Sequence, residues 1–236
     1  MAQYYTDFSE YALNAVPPDW SRVSADSFDI SEVQASSTPS GSVLKLTDST
    51  FGERVFAWDF DGLGGSVADC EILSRSREGS VNSGHLVNTF RFQSAGNFYS
   101  AGWGIGRRRI MATIASSLTI LATTSPDFSG AAPTPWYWIR SRITGDQLKL
   151  RTWLDGENEP VNWLYEVTNS DFTSAGLVGF GNLSSRDNDM EVDIFSVGTN
   201  GDSAPTGPVA TGPDTPINPS ITNLLATSAR LNWEQG

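Results

Sequence analysis

Glu191 and Asp193 are a pair of residues whose type and spacing suggest chemistry, because alternation along a strand would place both carboxylates on one face. Retaining glycoside hydrolysis needs two carboxylates about 5 Å apart, one as nucleophile and one as acid. Phe195 and Ser196 occupy the two places where a second glutamate of a Glu-x-Asp strand motif could stand. We therefore expect no catalytic residues here, and interpret the pair as polar residues on the edge of a terminal strand.

Three acidic loops could hold calcium, at residues 59–62, 155–159 and 187–189. Calcium takes six to eight oxygen ligands. Each of these loops has three or fewer carboxylates and lacks the regular ligand spacing of a twelve-residue calcium-binding loop. Solvated turns are the better interpretation, so no metal and no cofactor is predicted. Calcium binding at Asp187 and Asp189 is the alternative that the sequence leaves open.

Cysteine and histidine are too scarce for several common active sites. Cys70 is the single cysteine, which excludes an intrachain disulfide. His85 is the single histidine, which excludes or nearly excludes a zinc site with several imidazoles and a His-dependent catalytic triad. Cys70 is expected to be buried. The run Gly102–Arg109 is basic and rich in glycine, but no helix follows it, so it predicts a hairpin turn and not a phosphate-binding loop.

The clearest local unit is a β-hairpin around Gly145-Asp146, because a two-residue turn with glycine joins two alternating runs, 136–144 and 147–154. Counting outward pairs Thr144 with Gln147 and, at the far end, Trp138 with Trp153. The core face then carries Tyr137, Ile139, Ile143, Leu148, Leu150 and Leu154. The opposite face carries four cations and two indoles, namely Trp138, Arg140, Arg142, Lys149, Arg151 and Trp153.

This cationic strip is the candidate binding site. Like charges that face each other across a hairpin destabilise it, so acidic or aromatic neighbours such as Glu166, or a partner surface, are expected. One interpretation is internal, with cations stacked on indoles and screened by Glu166. The other is a ligand or subunit contact on a concave outer face, where indoles stack on sugar rings. The predicted ligand- or partner-binding residues are Trp138, Trp153, Arg140, Arg151, Arg142, Lys149 and Trp163.

Short runs rich in β-branched and aromatic residues recur between turn residues, which predicts an all-β fold of two packed antiparallel sheets. Twelve strands are predicted, at residues 42–47, 54–59, 68–75, 84–93, 97–104, 108–114, 117–123, 136–144, 147–154, 162–167, 177–182 and 190–197. Residues 1–202 form this domain. Residues 203–216 are rich in proline and predict an extended linker, and residues 217–236 begin a second domain.

Charge and length limit the partners of this 236-residue chain. Its formal net charge of −12 opposes binding to nucleic acid. No apolar run is long enough for a spanning helix, and the first residues lack the pattern of a secretory signal. We therefore expect no membrane insertion, synthesis in a cytosol and no export by a cleaved signal.

Motifs between Val43 and Asp202 follow the order of one family of sandwiches. The first motif is Trp58-Asp59 at the end of a strand. The motifs that follow it along the chain are 71–75, 136–140, 145–156, 176–181 and a closing run at 192–197. This order resembles the concanavalin A-like, laminin-G-type jelly-roll superfamily. Residues 217–234, with Pro219-Ser220-Ile221 and Leu231-Asn232-Trp233, resemble the opening of a fibronectin type III domain.

The opening runs 5–10 and 17–20 are similar to the starts of many bacteriophage virion and tail-associated proteins that carry this jelly roll. The resemblance implies a non-enzymatic virion protein, tail-associated or a capsid decoration, assembled in the host cytoplasm. Its implied partners are other virion proteins, further copies of itself and host-surface glycans bound by weak adhesion. The alternative is a carbohydrate-binding module of a larger glycan-active enzyme. Glycan identity, tail or capsid location and oligomeric state stay open.

Overall fold

The computed structural model describes residues 2–24, 30–48, 53–79, 85–104, 106–124, 134–183 and 188–209. Within these ranges the secondary structure is entirely β, in sixteen strands. The first eight are β1 (Ala2–Thr6), β2 (Trp20–Arg22), β3 (Ile30–Ala35), β4 (Ser42–Asp48), β5 (Glu53–Trp58), β6 (Ser66–Val67), β7 (Cys70–Glu78) and β8 (His85–Ser94). The others are β9 (Asn97–Gly104), β10 (Arg107–Ile114), β11 (Ser117–Thr123), β12 (Tyr137–Thr144), β13 (Gln147–Leu154), β14 (Tyr165–Thr168), β15 (Gly176–Leu183) and β16 (Asn188–Thr199).

The strands form two antiparallel sheets that pack face to face as a sandwich. Sheet A has the order β14-β13-β12-β7-β16-β4-β3, with β1 also paired to β16. Sheet B has the order β11-β10-β9-β8-β15-β5-β2, with β6 also paired to β15. Alternate side chains of both sheets meet in one buried core, in which Ile72 and Ile139 of sheet A join Phe90 and Phe180 of sheet B. The predicted fold class is confirmed.

All twelve predicted strands are present, and those at 97–104, 117–123 and 147–154 have the predicted bounds. Four further strands, β1, β2, β3 and β6, were not predicted. The predicted strand at 162–167 begins later, at Tyr165, because residues 160–164 form a loop whose carbonyl oxygens at Pro160 and Val161 accept hydrogen bonds from Arg151.

The β12–β13 hairpin has the predicted register, from Thr144 opposite Gln147 to Trp138 opposite Trp153. Gly145 supplies the positive φ of 57° that the two-residue turn requires. The glycine-rich basic run forms the turn between β9 and β10, as predicted, with Arg107 opposite Gly104. Cys70 is buried, also as predicted.

β16, which carries Glu191 and Asp193, is the last strand of the described chain. It lies inside sheet A, between β7 on one side and β4 with β1 on the other. Its pairing with β7 shifts between Val192 and Ile194, which leaves Asp193 as an extra residue in a β-bulge. At the bulge the Asp193 carboxylate contacts Arg75 of β7 and Ser40 of the loop between β3 and β4.

Residues 203–209 are neither helix nor strand, in keeping with a Pro-rich segment. Residues 203–206 nevertheless contact sheet A. The segment predicted to begin a fibronectin type III domain, 217–236, lies outside the described residues. Among the described ranges there is no helix long and apolar enough to cross a membrane.

Candidate functional site

The outer face of sheet A carries a row of four charged residues across four strands, with two cations in the middle and a carboxylate at each end. Glu71 on β7 lies opposite Arg142 on β12, which lies opposite Lys149 on β13, which lies opposite Glu166 on β14. Arg142 Nε donates to Glu71 Oε2 at 2.6 Å, and Lys149 Nζ lies 2.6 Å from Glu166 Oε2. The two like charges of the hairpin are therefore neutralised from both sides, and Glu166 has the role predicted for it.

A second pair of cations, Arg140 and Arg151, shares the carboxylate of Glu159. Arg140 Nε lies 2.7 Å from Glu159 Oε1, and Arg151 also pairs with this oxygen. Trp163 covers this part of the face, with the guanidinium of Arg151 4.5 Å and that of Arg142 5.5 Å from its ring centroid. The internal interpretation, cations stacked on an indole and screened by carboxylates, accounts for these contacts.

Residues 203–206 cross over the cationic strip and cover part of it. The backbone N–H of Ala204 donates to Glu71 Oε1 at 3.1 Å, and Arg140 donates to the Ala204 carbonyl at 3.0 Å. Ala204 also packs with Leu73 and Trp153 in a small apolar cluster. Arg140 and Trp153 are consequently only 4% and 7% exposed, so neither of these two predicted binding residues is accessible to a ligand here.

Trp138 borders one cleft on this face of sheet A, whereas Arg140 and Arg151 line a separate one beside Glu159 and residues 203–206. The ring of Trp138 stacks on Trp153 of β13, with centroids 6.0 Å apart and planes 10° from parallel. Its Nε1–H donates to Asp155 Oδ1 at 2.9 Å. The stack and the hydrogen bond fix the orientation of a half-buried indole, on the side of β12 that adjoins β7.

The cleft beside Trp138 has a volume of about 340 Å³, within the range of roughly 300–1,000 Å³ for ligand pockets. It extends over β12, β7, β16 and β1 and is closed by the loop between β3 and β4. Its polar and aromatic lining comprises Tyr5, Asp7, Ser40, Arg75, Trp138, Asp155 and Asp193.

Arg75 donates hydrogen bonds to two carboxylates of the cleft, those of Asp155 and Asp193. Its Nε and Nη2 donate to the two oxygens of Asp155 at 3.0 and 2.7 Å, and its Nη1 donates to Asp193 Oδ2 at 2.5 Å. Burial alone would lower the pKa of Arg75, but the hydrogen bonds to Asp155 and Asp193 hold that pKa above its ordinary value. The pKa of Asp155 lies below its ordinary value because of the hydrogen bonds from Arg75 and Trp138. Both partners are therefore charged at neutral pH.

The opposite wall of the cleft comes from the first strand and the turn after it. Burial, followed by the nearby charges of Asp7 and Asp193, raises the pKa of Tyr5 to about 12, so its hydroxyl keeps its proton. Ser40 Oγ lies 3.0 Å from Asp193 Oδ1. Asp7 Oδ1 accepts hydrogen bonds from the backbone N–H and the hydroxyl of Ser9, at 3.1 and 2.6 Å.

Glu191 and Asp193 do not form a catalytic pair of free carboxylates in this arrangement. Arg77 pairs with Glu191 at 2.7 Å, while Asp193 is held by Arg75 and Ser40. The two acids are separated by a bulge and are each bound to a different arginine.

The acidic loops use their carboxylates within the protein. Asp61 accepts hydrogen bonds from the backbone of Leu63 and Gly65, and Asp189 pairs with Lys45 at 3.1 Å. The loop at 155–159 differs from the solvated turn that the sequence suggested, because Asp155 and Glu159 bind arginines. Within the described ranges, no group of three or more His, Cys, Asp or Glu side chains is placed to hold a metal ion. Asp187 lies outside those ranges.

Of the residues that line this cleft, the sequence placed Trp138 in the predicted binding strip, whose four cations pair with Glu71, Glu159 and Glu166. It missed Tyr5, Asp7, Ser40 and Arg75 as site residues, and it considered Asp155 only in a calcium loop and Asp193 only in a catalytic pair. The sequence did contain a signal for Asp155. In the predicted register Trp138 lies opposite Trp153, and Asp155 follows two residues later, directly after the end of β13.

Comparisons with known proteins show the fold. No protein-family profile and no curated protein matches the chain. Among solved structures, the carbohydrate-binding module CBM66 from Bacillus subtilis is similar over 76% of this chain and 94% of that chain, with a TM-score of 0.53 and 13% identity. The Ca²⁺/Man-bound exoplasmic/lumenal domain of VIP36 is similar over 79% of this chain and 85% of that chain, with a TM-score of 0.54 and 13% identity.

The GH43 protein BlXynB from Bacillus licheniformis is a further neighbour, with a TM-score of 0.53 and 12% identity. The match covers 82% of this chain but 39% of that longer chain. These likenesses agree with the jelly-roll β-sandwich that the two sheets form.

Proposed function

We propose that this domain binds carbohydrate, and that the cleft beside Trp138 is the binding site. The observation that carries the proposal is a half-buried indole of fixed orientation that borders a cleft of ligand size lined with hydroxyl and carboxylate groups. An aromatic ring offers a flat apolar surface to the C–H face of a sugar, and oriented polar groups then select its hydroxyls. The named functions of the CBM66 and VIP36 neighbours agree with this proposal.

The polar groups of the cleft suit recognition of neighbouring sugar hydroxyls. The side chain of Asp155 is 38% exposed and is held by the guanidinium of Arg75, so its oxygens keep defined positions without a ligand. The buried Asp193 holds the same guanidinium from the other side. Tyr5 provides a hydroxyl that can donate or accept. Preorganised partners of this kind reduce the entropy that must be lost on binding.

We further propose binding without hydrolysis. A glycosidase needs one carboxylic acid with a raised pKa that protonates the leaving oxygen. The pKa of Asp155 is instead lowered by Arg75 and Trp138, and Asp193 is bonded through both oxygens. The contacts of Asp155 therefore favour an acceptor of hydrogen bonds over a proton donor.

The test uses the full chain on a glycan array, followed by calorimetry on the glycans that bind. Trp138→Ala is expected to weaken binding by at least about tenfold, since the stacking surface is lost; tenfold corresponds to about 1.4 kcal/mol. Trp163→Ala is the matched control, because it removes an indole from the same face but outside the cleft. Near-UV circular dichroism of both variants establishes that they are folded.

Two results would contradict the proposal. One is a folded wild-type chain that binds no glycan on the array. The other is an equal loss of binding in Trp163→Ala and Trp138→Ala, which would move the site to the cationic strip.

For the biological setting, we propose adhesion to a host surface by a bacteriophage virion protein, which rests on the similarity of residues 5–10 and 17–20 to virion proteins. The alternative, a module of a glycan-active enzyme, agrees with the structural neighbours equally well. Mass spectrometry of purified particles tests the virion proposal directly, because a virion protein is recovered with the particle.

A further inference from the structure

Charge is distributed unevenly around the cleft beside Trp138. Three carboxylates line it, those of Asp7, Asp155 and Asp193, against the single guanidinium of Arg75. Of the described residues that line this cleft, Arg75 is the only one with a cationic side chain. The lining thus has a formal charge of about −2 where a ligand would bind.

Arg75 has little capacity left for an anionic ligand. Three of its five N–H groups already donate to Asp155 and Asp193, its guanidinium lies over the ring of Trp136, and its side chain is only 10% exposed. An acidic sugar would have to approach these carboxylates without a free cation to receive it. The uncompensated repulsion is strong because part of the site is screened from water.

Asp7 is the carboxylate with no cationic partner in the described part of the chain. Its Oδ1 receives the two hydrogen bonds from Ser9, and it forms no ion pair with a described Lys or Arg. The effect of Asp7 and Asp193 on Tyr5, whose pKa they help to raise, indicates the same negative potential at that wall.

From these contacts we infer that the cleft selects glycans that carry a protonated amine, prefers them to the matching neutral sugars and rejects glycans that carry a carboxylate. Asp7 receives the ammonium group, while Trp138 stacks on the sugar ring. This inference rests on the proposed carbohydrate site and assigns its ligand class.

The experiment compares matched sets of oligosaccharides that share linkage and ring configuration and differ in one substituent. Each set, in the gluco, galacto and manno series, contains the neutral sugar, the 2-amino sugar and the 6-carboxylate sugar. For a series that binds the full chain, we expect the amino member to bind about tenfold tighter than the neutral member at low salt, and the carboxylate member to bind at least tenfold more weakly. The preference should decrease at 0.5 M NaCl because exposed charges are screened.

Asp7→Asn keeps the acceptor that Ser9 uses and removes the charge. We expect the ratio of amine to neutral affinity to fall toward one in this variant. Asp146→Asn is the matched control, since it changes the net charge of the chain equally at the exposed hairpin turn, outside the cleft. It should leave the ratio unchanged.

The outcomes separate the two proposals. If no member of any series and no array glycan binds the folded chain, the proposed function fails. If neutral sugars bind at the cleft but the carboxylate member binds as well as the neutral one, or the amino member binds no tighter, the charge selectivity is overturned while carbohydrate binding stands. An equal effect of Asp7→Asn and Asp146→Asn on the ratio would remove Asp7 from the site.

Discussion

Glu71 and Glu166 allow a matched test of how burial sets the strength of an ion pair. Both carboxylates flank the same hairpin in one row of sheet A, on opposite sides of Arg142 and Lys149. The side chain of Glu71 is 1% exposed and that of Glu166 is 52% exposed. The substitutions Glu71→Gln and Glu166→Gln remove the same charge and conserve shape.

The expected losses of folding free energy differ severalfold. Removing one partner of a buried ion pair costs about 3–5 kcal/mol, because the other charge stays buried without compensation. We expect about 3 kcal/mol for Glu71→Gln, near the lower limit, since Arg140 keeps Glu159 and Arg142 is 34% exposed. For Glu166→Gln we expect less than about 1 kcal/mol, as for exposed pairs in general.

Urea denaturation of both variants measures these losses directly, with an unchanged m-value as the sign that the unfolded state is the same. In a domain of this size the loss at Glu71 corresponds to a decrease in melting temperature of about 6–12 °C. Salt should abolish the small effect at Glu166 and leave most of the effect at Glu71. The reasoning is refuted if Glu71→Gln costs less than about 1 kcal/mol, or if both variants lose equal stability.

Two further predictions concern the single histidine and the single cysteine. Burial, together with the charge of Arg109, lowers the pKa of His85 to about 4. The imidazole Nδ1–H of His85 donates to the Leu183 carbonyl at 2.5 Å, and its Nε2 accepts a hydrogen bond from Arg109 at 2.7 Å. In the unfolded chain the histidine takes up a proton at its ordinary pKa near 6.5, whereas in the folded chain it stays neutral down to about pH 4. The free energy of unfolding should therefore fall by about 2 kcal/mol between pH 7 and pH 5. His85→Gln should remove this part of the pH dependence in urea titrations; an unchanged pH dependence would mean that other groups cause it. Burial raises the pKa of the Cys70 thiol and shields it from reagents. Ellman's reagent should therefore react with Cys70 readily in 8 M urea, but in buffer only at the rate at which the chain unfolds. Rapid labelling of the native chain would instead show that β7 opens locally.

The sequence was sufficient where pairing is local. The two-residue turn at Gly145-Asp146 fixes every pair of the β12–β13 hairpin, and the alternation of apolar residues fixes its core face. Strands β9 and β11 were predicted with their bounds for the same reason, since each is joined to its neighbour by a short turn.

The missing parts of the site depend on pairing between residues that are far apart in the chain. β1 pairs with β16, so that Tyr5 lies opposite Ser196, and no local pattern in Ala2–Thr6 indicates that partner. The direction of Asp193 depends on a bulge that shifts the register of β16 by one residue. The same limit explains why the docking of residues 203–206 on Glu71 and Arg140 was not foreseen from a Pro-rich segment.

The docking of residues 203–206 determines how mechanical tension would reach the cleft. A pull on the chain beyond residue 209 meets the hydrogen bond from Ser196 to the Pro205 carbonyl and the contacts of Ala204 with Glu71 and Arg140, and then acts on β16. β16 is paired along both edges, with β7 on one side and with β4 and β1 on the other. Asp193 and Arg75 of the cleft lie on β16 and β7, so a ligand held there and a pull from the chain load the same two strands.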